Sequence, residues 1–498
     1  MDGRRQAART DETTLSEGLA RNLALERIVN FAHSTGISID KIVVDAQSQD
    51  VAKAEDQALV KAGLEDAKSP RDILKKTLSV RSVLSTSSSF AERMEALRNA
   101  NLKTLKLGQI GRGSFGTVFE IPGTEWCLKK TLTAPKKLWD EFNNGLVMRK
   151  EVNGMASDAI FRSEEFPTAL MPRVPRYLWS HGMSDAESAT RWFKENGHRF
   201  PVENGGQKPG PIICLERIMP LPKVIRENLI RLYFEPGNQE AALADKANKS
   251  CLCRPYLGCR SSEIAPDKRE KELQTLQNFP LYLNQLEDLG VEPLTIAQDM
   301  ALGLAAGHWA AYANMLDVEY VIGSRPSTSP ETLLALDADE QALRSRSSHR
   351  RVRDMRPREI RTSFRNRALQ LWMIDFNKVT LLEPSLGHSY HAEIRQLVSD
   401  TRATDGPYYP RALPKTEADW KLWIAFAQTY ISASKIILNY DLSRGRRSGS
   451  SQPEKDIKLI LKRPSNVIHE WMRAESIEYK IDLDQYISQA KKNGWPMP

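Results

Sequence analysis

The sequence predicts an α+β fold of two unequal parts, a small β-rich lobe followed by a larger helical one. Three observations lead there. Between residues 100 and 225, short apolar runs alternate with turn signals: Leu105 to Ile110, Thr117 to Ile121, the turn Pro122-Gly123, Trp126 to Lys129, and Ile212 to Leu215. Between 280 and 440 the apolar spacing becomes helical, with Ile296, Met300 and Leu304 flanked by Ala297, Ala301 and Ala305, and later Trp420, Trp423, Phe426 and Tyr430. A glycine-rich hairpin opens the first part, and the second contains the strand-like run Leu369 to Ile374 ending in Asp375.

Taken in order, residues 1–99 read as an accessory N-terminal arm, partly helical or disordered. Thr14-x-x-Glu17 is a capping box before Leu15, Leu19, Leu23 and Ile28, and Ser85 to Ser89 is a polar break. Within the β-rich lobe, 100–225, Lys137 to Val152 has helical spacing through Leu138, Phe142 and Leu146. The strand at Ile212 to Leu215 runs into Glu216-Arg217-Ile218-Met219-Pro220-Leu221-Pro222, where prolines stop regular structure. The helical lobe spans 226–440. Thr295 and Gln298 form a capping pattern before an amphipathic helix with a small-residue face. Val318 to Ile322 and Leu369 to Ile374 are expected to pair as a hairpin around an insertion, 325–367. A flexible tail, 441–498, is expected to hold a short helix near Asn466 to Ala474.

The chain has 498 residues, 41% of them hydrophobic, enough for a sizeable core. Its net charge is +8, and the arginines of 344–367 alone supply that excess. This block is expected to be a solvated surface loop with polyanion binding as its functional alternative. The cysteines, Cys127, Cys214, Cys251, Cys253 and Cys259, are too sparse for a disulfide framework and lack finger spacing, so no zinc is expected. The N-terminus reads as no secretory signal, and no apolar run is long enough to span a membrane. The expected compartment is the cytoplasm or nucleus.

The chemistry centres on Ile110-Gly111-Arg112-Gly113-Ser114-Phe115-Gly116-Thr117-Val118. Glycines let backbone N–H groups approach phosphate oxygens, and Gly111, Gly113 and Gly116 supply them. A plain structural hairpin is the alternative. β-Favouring Thr117-Val118-Phe119 follows rather than a helix, which disfavours a dinucleotide site. The arrangement resembles the opening of a protein kinase domain. On that resemblance Val118 caps a purine, Lys129 neutralises phosphates, and Glu141 or Glu151 pairs with Lys129. Glu216 and Ile218 fall on the cofactor side, and Asp375, in Asp375-Phe376-Asn377, is the magnesium ligand. The expected cofactors are therefore ATP and Mg.

The catalytic loop breaks the pattern. Its best counterpart is Asn314-Met315-Leu316-Asp317-Val318-Glu319-Tyr320-Val321-Ile322. One register puts Met315 at the general base and Tyr320 at the second metal ligand. The other makes Asp317 the base and leaves Ile322 at the metal. A nucleotide-binding or pseudokinase-type regulatory module with an unidentified protein partner is the expected function. The alternatives are an active atypical Ser/Thr kinase using Asp317 and Asp375, and an arginine-driven nucleic-acid-associated scaffold.

Several further segments, Glu216 to Pro222, Arg254-Pro255-Tyr256-Leu257-Gly258, Asp317 to Gly323, Leu371 to Asn377 and Gly406-Pro407-Tyr408-Tyr409-Pro410-Arg411, are similar to those of a fungal domain of unknown function. Its members are loosely labelled zinc finger proteins. The resemblance covers roughly 105–435 and implies a fungal, intracellular protein with no assigned activity.

Overall fold

The computed structural model describes residues 69–78, 83–85, 105–113, 115–166, 169–183, 186–326, 366–382, 390–444 and 453–498. They form a mixed α+β structure with two five-stranded sheets. Strands and helices follow in the order α1 (Pro70–Thr77), β1 (Val83–Ser85), β2 (Gly108–Arg112), β3 (Thr117–Glu120), β4 (Trp126–Lys130), α2 (Pro135–Lys150), α3 (Ser157–Ser163), β5 (Tyr177–His181), α4 (Ala186–Asn196), β6 (Ile212–Glu216), α5 (Lys223–Tyr233) and α6 (Gln239–Ala244). Then come β7 (Cys253–Tyr256), α7 (Pro266–Glu272), β8 (Phe279–Tyr282), α8 (Leu283–Asp288), α9 (Pro293–Trp309), β9 (Glu319–Pro326), β10 (Asn366–Ile374), α10 (Tyr390–Arg402), α11 (Glu417–Ser443), α12 (Pro453–Tyr479) and α13 (Leu483–Lys492).

The first sheet has the order β2-β3-β4-β6-β5 and is antiparallel throughout. One face carries a small core of Leu105, Leu107, Phe119, Leu128, Phe200 and Ile212, closed by Phe193 from α4. The other face joins the main core beneath α2. The second sheet has the order β1-β10-β9-β7-β8, and β7 pairs parallel with β8. The runs Val318 to Ile322 and Leu369 to Ile374 do pair, within the β9–β10 ladder from Glu319↔Ile374 to Pro326↔Arg367. Two backbone seams join the sheets. Arg173 N donates to Leu371 O and Met373 N to Arg173 O, both at 2.9 Å, and Met219 and Ser324 exchange a pair of bonds at 2.9 Å.

Several expectations change. Within the segment read as an accessory arm, α1 and β1 belong to the body. Ser69 Oγ accepts from Asp72 N, Pro70 sits in the first turn, and Leu74 and Leu78 are buried, with α1 against α5. β1 extends the second sheet along β10. Residues 1–68, including the Thr14 capping box, lie outside the described residues.

α9 is not amphipathic. It is buried on all sides from Ile296 to Trp309 except at Gln298, and its Ala and Gly positions let α11 pack closely. It begins at Pro293, and Thr295 Oγ1 donates to Glu292 rather than capping a later turn.

The tail holds two helices rather than one short one. The expected 466–474 helix is the interior of α12, where Val467, Ile468, Trp471 and Met472 are buried. Trp420 Nε1 donates to Pro496 O at 2.7 Å, tying down the C-terminal residues. The aromatics Trp420, Trp423, Phe426 and Tyr430 lie on α11 as their spacing predicts, all buried.

Most of the 325–367 insertion lies outside the described residues, but its ends are strand. Arg367 is 2% exposed in β10, where Nη2 donates to Pro220 O at 2.6 Å, so it is not part of a solvated strip. Among the described residues no helix is long and apolar enough to cross a membrane.

Candidate functional site

The site is assembled from β3, β4, α2 and the two chain segments flanking the β9–β10 ladder. β3 and β4 place Val118 opposite Lys129, so both project from one face of the sheet. Strand alternation sends Lys130 to the other face, where its ammonium donates to Gly205 O and Gly206 O at 2.8 Å each. α2 starts at Pro135 and buries Leu138, Glu141, Asn144, Gly145 and Met148 on one stripe. That stripe brings Glu141 to Lys129, Nζ to Oε2 at 2.5 Å, with side-chain exposures of 17% and 5%. Burial works against both charges. The carboxylates of Glu141 and Asp375 nevertheless hold the Lys129 ammonium above its ordinary value, while burial and Asp375 raise the Glu141 carboxyl against the pull of Lys129. Glu151, the other candidate, faces Lys150 at 3.0 Å in a π-helical turn and takes no part.

Asn144, one turn after Glu141, donates to Phe376 O at 2.9 Å and Val379 O at 2.8 Å. The same helix therefore fixes Lys129 and the loop after Asp375. Asp375 ends β10 in a left-handed conformation, φ 64°, and stays half-buried while Phe376 is fully buried. The Asn377 amide donates to Asp375 Oδ1, so one carboxylate oxygen is already engaged.

Of the glycine loop, Gly116 is the residue the geometry demands. A Cβ there would stand 2.8 Å from Lys130 O. Gly111 and Gly113 have ordinary space around them and no positive φ. Gly113 N donates to Gly116 O at 2.9 Å, closing the turn. At the tip Phe115 lies under two cations, Lys137 Nζ 3.6 Å and Lys378 Nζ 5.9 Å from the ring centroid.

The segment from Asn314 into β9 packs largely into the core. Met315 is fully buried, and its Sδ occupies the space a side chain on Gly307 would need, 2.1 Å from that Cβ position. Tyr320 is fully buried between Tyr408 and Tyr409, and its hydroxyl donates to Met300 O. Ile322 is buried and paired in the ladder. Asp317 has φ 59° and 5% exposure, and its Oδ2 meets Lys378 Nζ at 2.6 Å.

Glu319 meets Arg254 at 2.7 Å. Burial raises Glu319 to about 7; Arg254 opposes this, while the carboxylates of Asp375, Asp317 and Asp405 add to it. Glu141, Glu319, Asp375, Asp317 and Asp405 thus lie within electrostatic reach of Lys129, Lys378 or Arg254.

Glu216 and Ile218 do not join this cluster. Glu216 is buried beneath Arg173 at 2.9 Å and Arg176 at 3.2 Å, and accepts from Arg176 N. Burial would raise its carboxyl, but the two guanidiniums hold it down to about 2, so its side chain serves as an internal brace. Ile218 packs over Gly323. Lys378, Asn144 and Arg254 escaped the sequence reading. Only Lys378 carried a local signal, its place directly after Asp375-Phe376-Asn377.

The cysteines are free. Cys251 and Cys253 are buried with sulfurs 4.0 Å apart, and among the described residues no group of three or more His, Cys, Asp or Glu is arranged to hold a metal unaided. A cavity of about 450 Å³ lined by Tyr233, Arg269, Glu272, Tyr282 and Asp288 lies away from the cluster.

No curated protein and no solved structure matches the chain. A family model for a domain of unknown function, described as zinc finger protein, matches residues 371–441. That stretch runs from the end of β10 through Asp375, α10 and nearly all of α11, so the similarity takes in Asp375 and Asp405 and leaves out Asp317, Glu319 and the Lys129–Glu141 pair.

Proposed function

We propose that the chain is a nucleotide-binding module on a protein-kinase-like two-lobed fold, of the pseudokinase type. The observation that carries this reading is the 2.5 Å Lys129–Glu141 pair with Asp375 in its field. Three separate elements, β4, α2 and β10, converge to make it. A buried ion pair is weak evidence of stability; what favours a phosphate-binding role is that Lys129 lies beside Gly116 of the glycine loop and in the field of Asp375, whereas Glu216 faces arginines. Val118 borders the same face from β3 and supplies an apolar wall for a base.

The residues fit one divalent cation. Asp375 has one carboxylate oxygen not taken by Asn377. Such a cation, coordinated otherwise by phosphates and water, would supply charge neutralisation. The positions for a second metal ligand, Tyr320 and Ile322, are buried in the core and offer no carboxylate or amide. Asp317 is the one acid near a general-base position, which keeps the active-kinase reading as the second alternative; its carboxylate is held by Lys378. Loss of the base and of the second ligand leaves binding without efficient phosphoryl transfer.

Thermal denaturation with ATP and Mg tests the reading. Ligand at a hundredfold its dissociation constant adds about 2.7 kcal/mol. The shift is expected in the wild type and not in Lys129→Met. Its absence from the wild type at millimolar ATP overturns the proposal.

A further inference from the structure

We propose that Lys378 is a phosphate-binding residue of the nucleotide site, contacting the terminal phosphate of a nucleoside triphosphate; this rests on the nucleotide reading above. Lys378 follows Asp375-Phe376-Asn377 directly, and the loop that carries it is pinned from both sides by Asn144, through Phe376 O and Val379 O. Its position is therefore set by the same helix that positions Glu141.

Its ammonium stands 2.6 Å from Asp317 and 5.9 Å from the Phe115 ring centroid at the tip of the glycine loop. It therefore lies between the loop that would cover the phosphates and the acid nearest the general-base position. Its side chain is 35% exposed, whereas that of Lys129 is 17% exposed; both are paired with a carboxylate. The surrounding charge is acidic, from Asp317, Asp405 and Asp375, in that order of influence after the hydrogen bond to Asp317. A lysine among carboxylates is oriented and kept charged. A triphosphate brings more negative charge than the single Asp317 carboxylate, and an ammonium on a four-carbon stem swings readily between two anions.

The arrangement also explains how the site manages without a second metal ligand. Tyr320 and Ile322 cannot hold a cation, and Lys378 supplies a positive charge from the opposite wall. Without nucleotide it holds Asp317, and its move to the terminal phosphate would release that carboxylate. Phe115, lying over Lys378 and Lys137, closes the glycine loop onto the same charge.

Calorimetric titration of the full chain with ATP and with ADP, each with Mg, tests this in wild type, Lys378→Ala, Lys378→Arg and Lys129→Met. The wild type is expected to prefer ATP by about tenfold, the range of one charge-assisted contact. Lys378→Ala is expected to bind ADP as the wild type does and to lose the preference, and Lys378→Arg to restore most of it. Lys129→Met weakens both nucleotides. An unchanged preference in Lys378→Ala, or none in the wild type, overturns the assignment of Lys378 while leaving the nucleotide reading in place. Failure of the wild type to bind either nucleotide overturns both.

Discussion

The β3–β4 strands with α2, and the segment leading into β9, both point charge toward Asp375, yet they differ in how their residues are used. In the first, Val118, Lys129 and Glu141 lie along one face, and the ion pair forms. In the second, Met315, Tyr320 and Ile322 have been absorbed into the core, and the remaining acid, Asp317, is neutralised by Lys378. On the nucleotide-site reading proposed above, the difference teaches that one half of a site can present its charges while residues of the other half serve packing. Each half can be broken separately.

The largest effect is expected where packing has replaced chemistry. Met315→Asp places a carboxylate in a fully buried site against Gly307 and should lose about 5 kcal/mol. Urea denaturation measures this; a stable variant that gains phosphoryl transfer would show the segment to be a catalytic loop after all.

Lys129→Met leaves Glu141 buried beside Asp375. It should cost about 3–5 kcal/mol and remove nucleotide binding, while the double variant with Glu141→Gln recovers much of the stability but none of the binding. Recovery of both would mean the pair is a structural brace like Glu216 with its arginines.

The acid side has a pH signature. Glu319 is raised from the usual 4.5 to about 7, so the folded state holds its proton more tightly than the unfolded chain. Its contribution therefore favours folding most below the unfolded value, declines as pH climbs from 4.5 to about 7, and is level above that. The span is up to about 3 kcal/mol. Denaturation of wild type and Glu319→Gln at pH 5 and pH 7.5 isolates it. An identical pH slope in the two proteins would show that Arg254 offsets the burial of the carboxylate in full.

The smallest effect is the control beside Lys129. Lys130→Met loses two carbonyl contacts, costs about 1–2 kcal/mol, and leaves nucleotide binding untouched because the side chain lies on the other face. Loss of binding in this variant would show that the sheet, rather than the Lys129 charge, carries the response.

Much of the Lys129 half of the candidate site was legible in the sequence because its signals are local. Glycine spacing, a strand lysine and helical periodicity put Gly116, Lys129 and Glu141 within a short stretch of chain. Choosing Glu141 over Glu151 needs three dimensions, since both follow Lys129 on helical sequence, and only the structure shows Glu141 on the buried stripe of α2 and Glu151 in the π-helical turn beyond it. Glu216 was misleading because its backbone position at the end of β6 fits a cofactor-facing strand, while its side chain turns back to Arg173 and Arg176. Those partners lie some forty residues earlier, beyond any local pattern. α1 carries a local helix-start signal in Ser69-Pro70-x-Asp72, but its place in the body depends on burial of Leu74 and Leu78 against a distant helix. Arg367 looked like part of a charged loop, and only the register of β10 reveals it as buried.

The most direct test of the account is the fate of bound ATP. Protein incubated with a stoichiometric amount of γ-labelled ATP and Mg, then separated from free nucleotide and quenched, should retain intact labelled ATP, with no label on protein and little free phosphate. Label transferred to protein, or ATP fully hydrolysed, would show that the segment before β9 still catalyses; recovery of unlabelled, nucleotide-free protein would show that the Lys129–Glu141–Asp375 cluster binds no nucleotide.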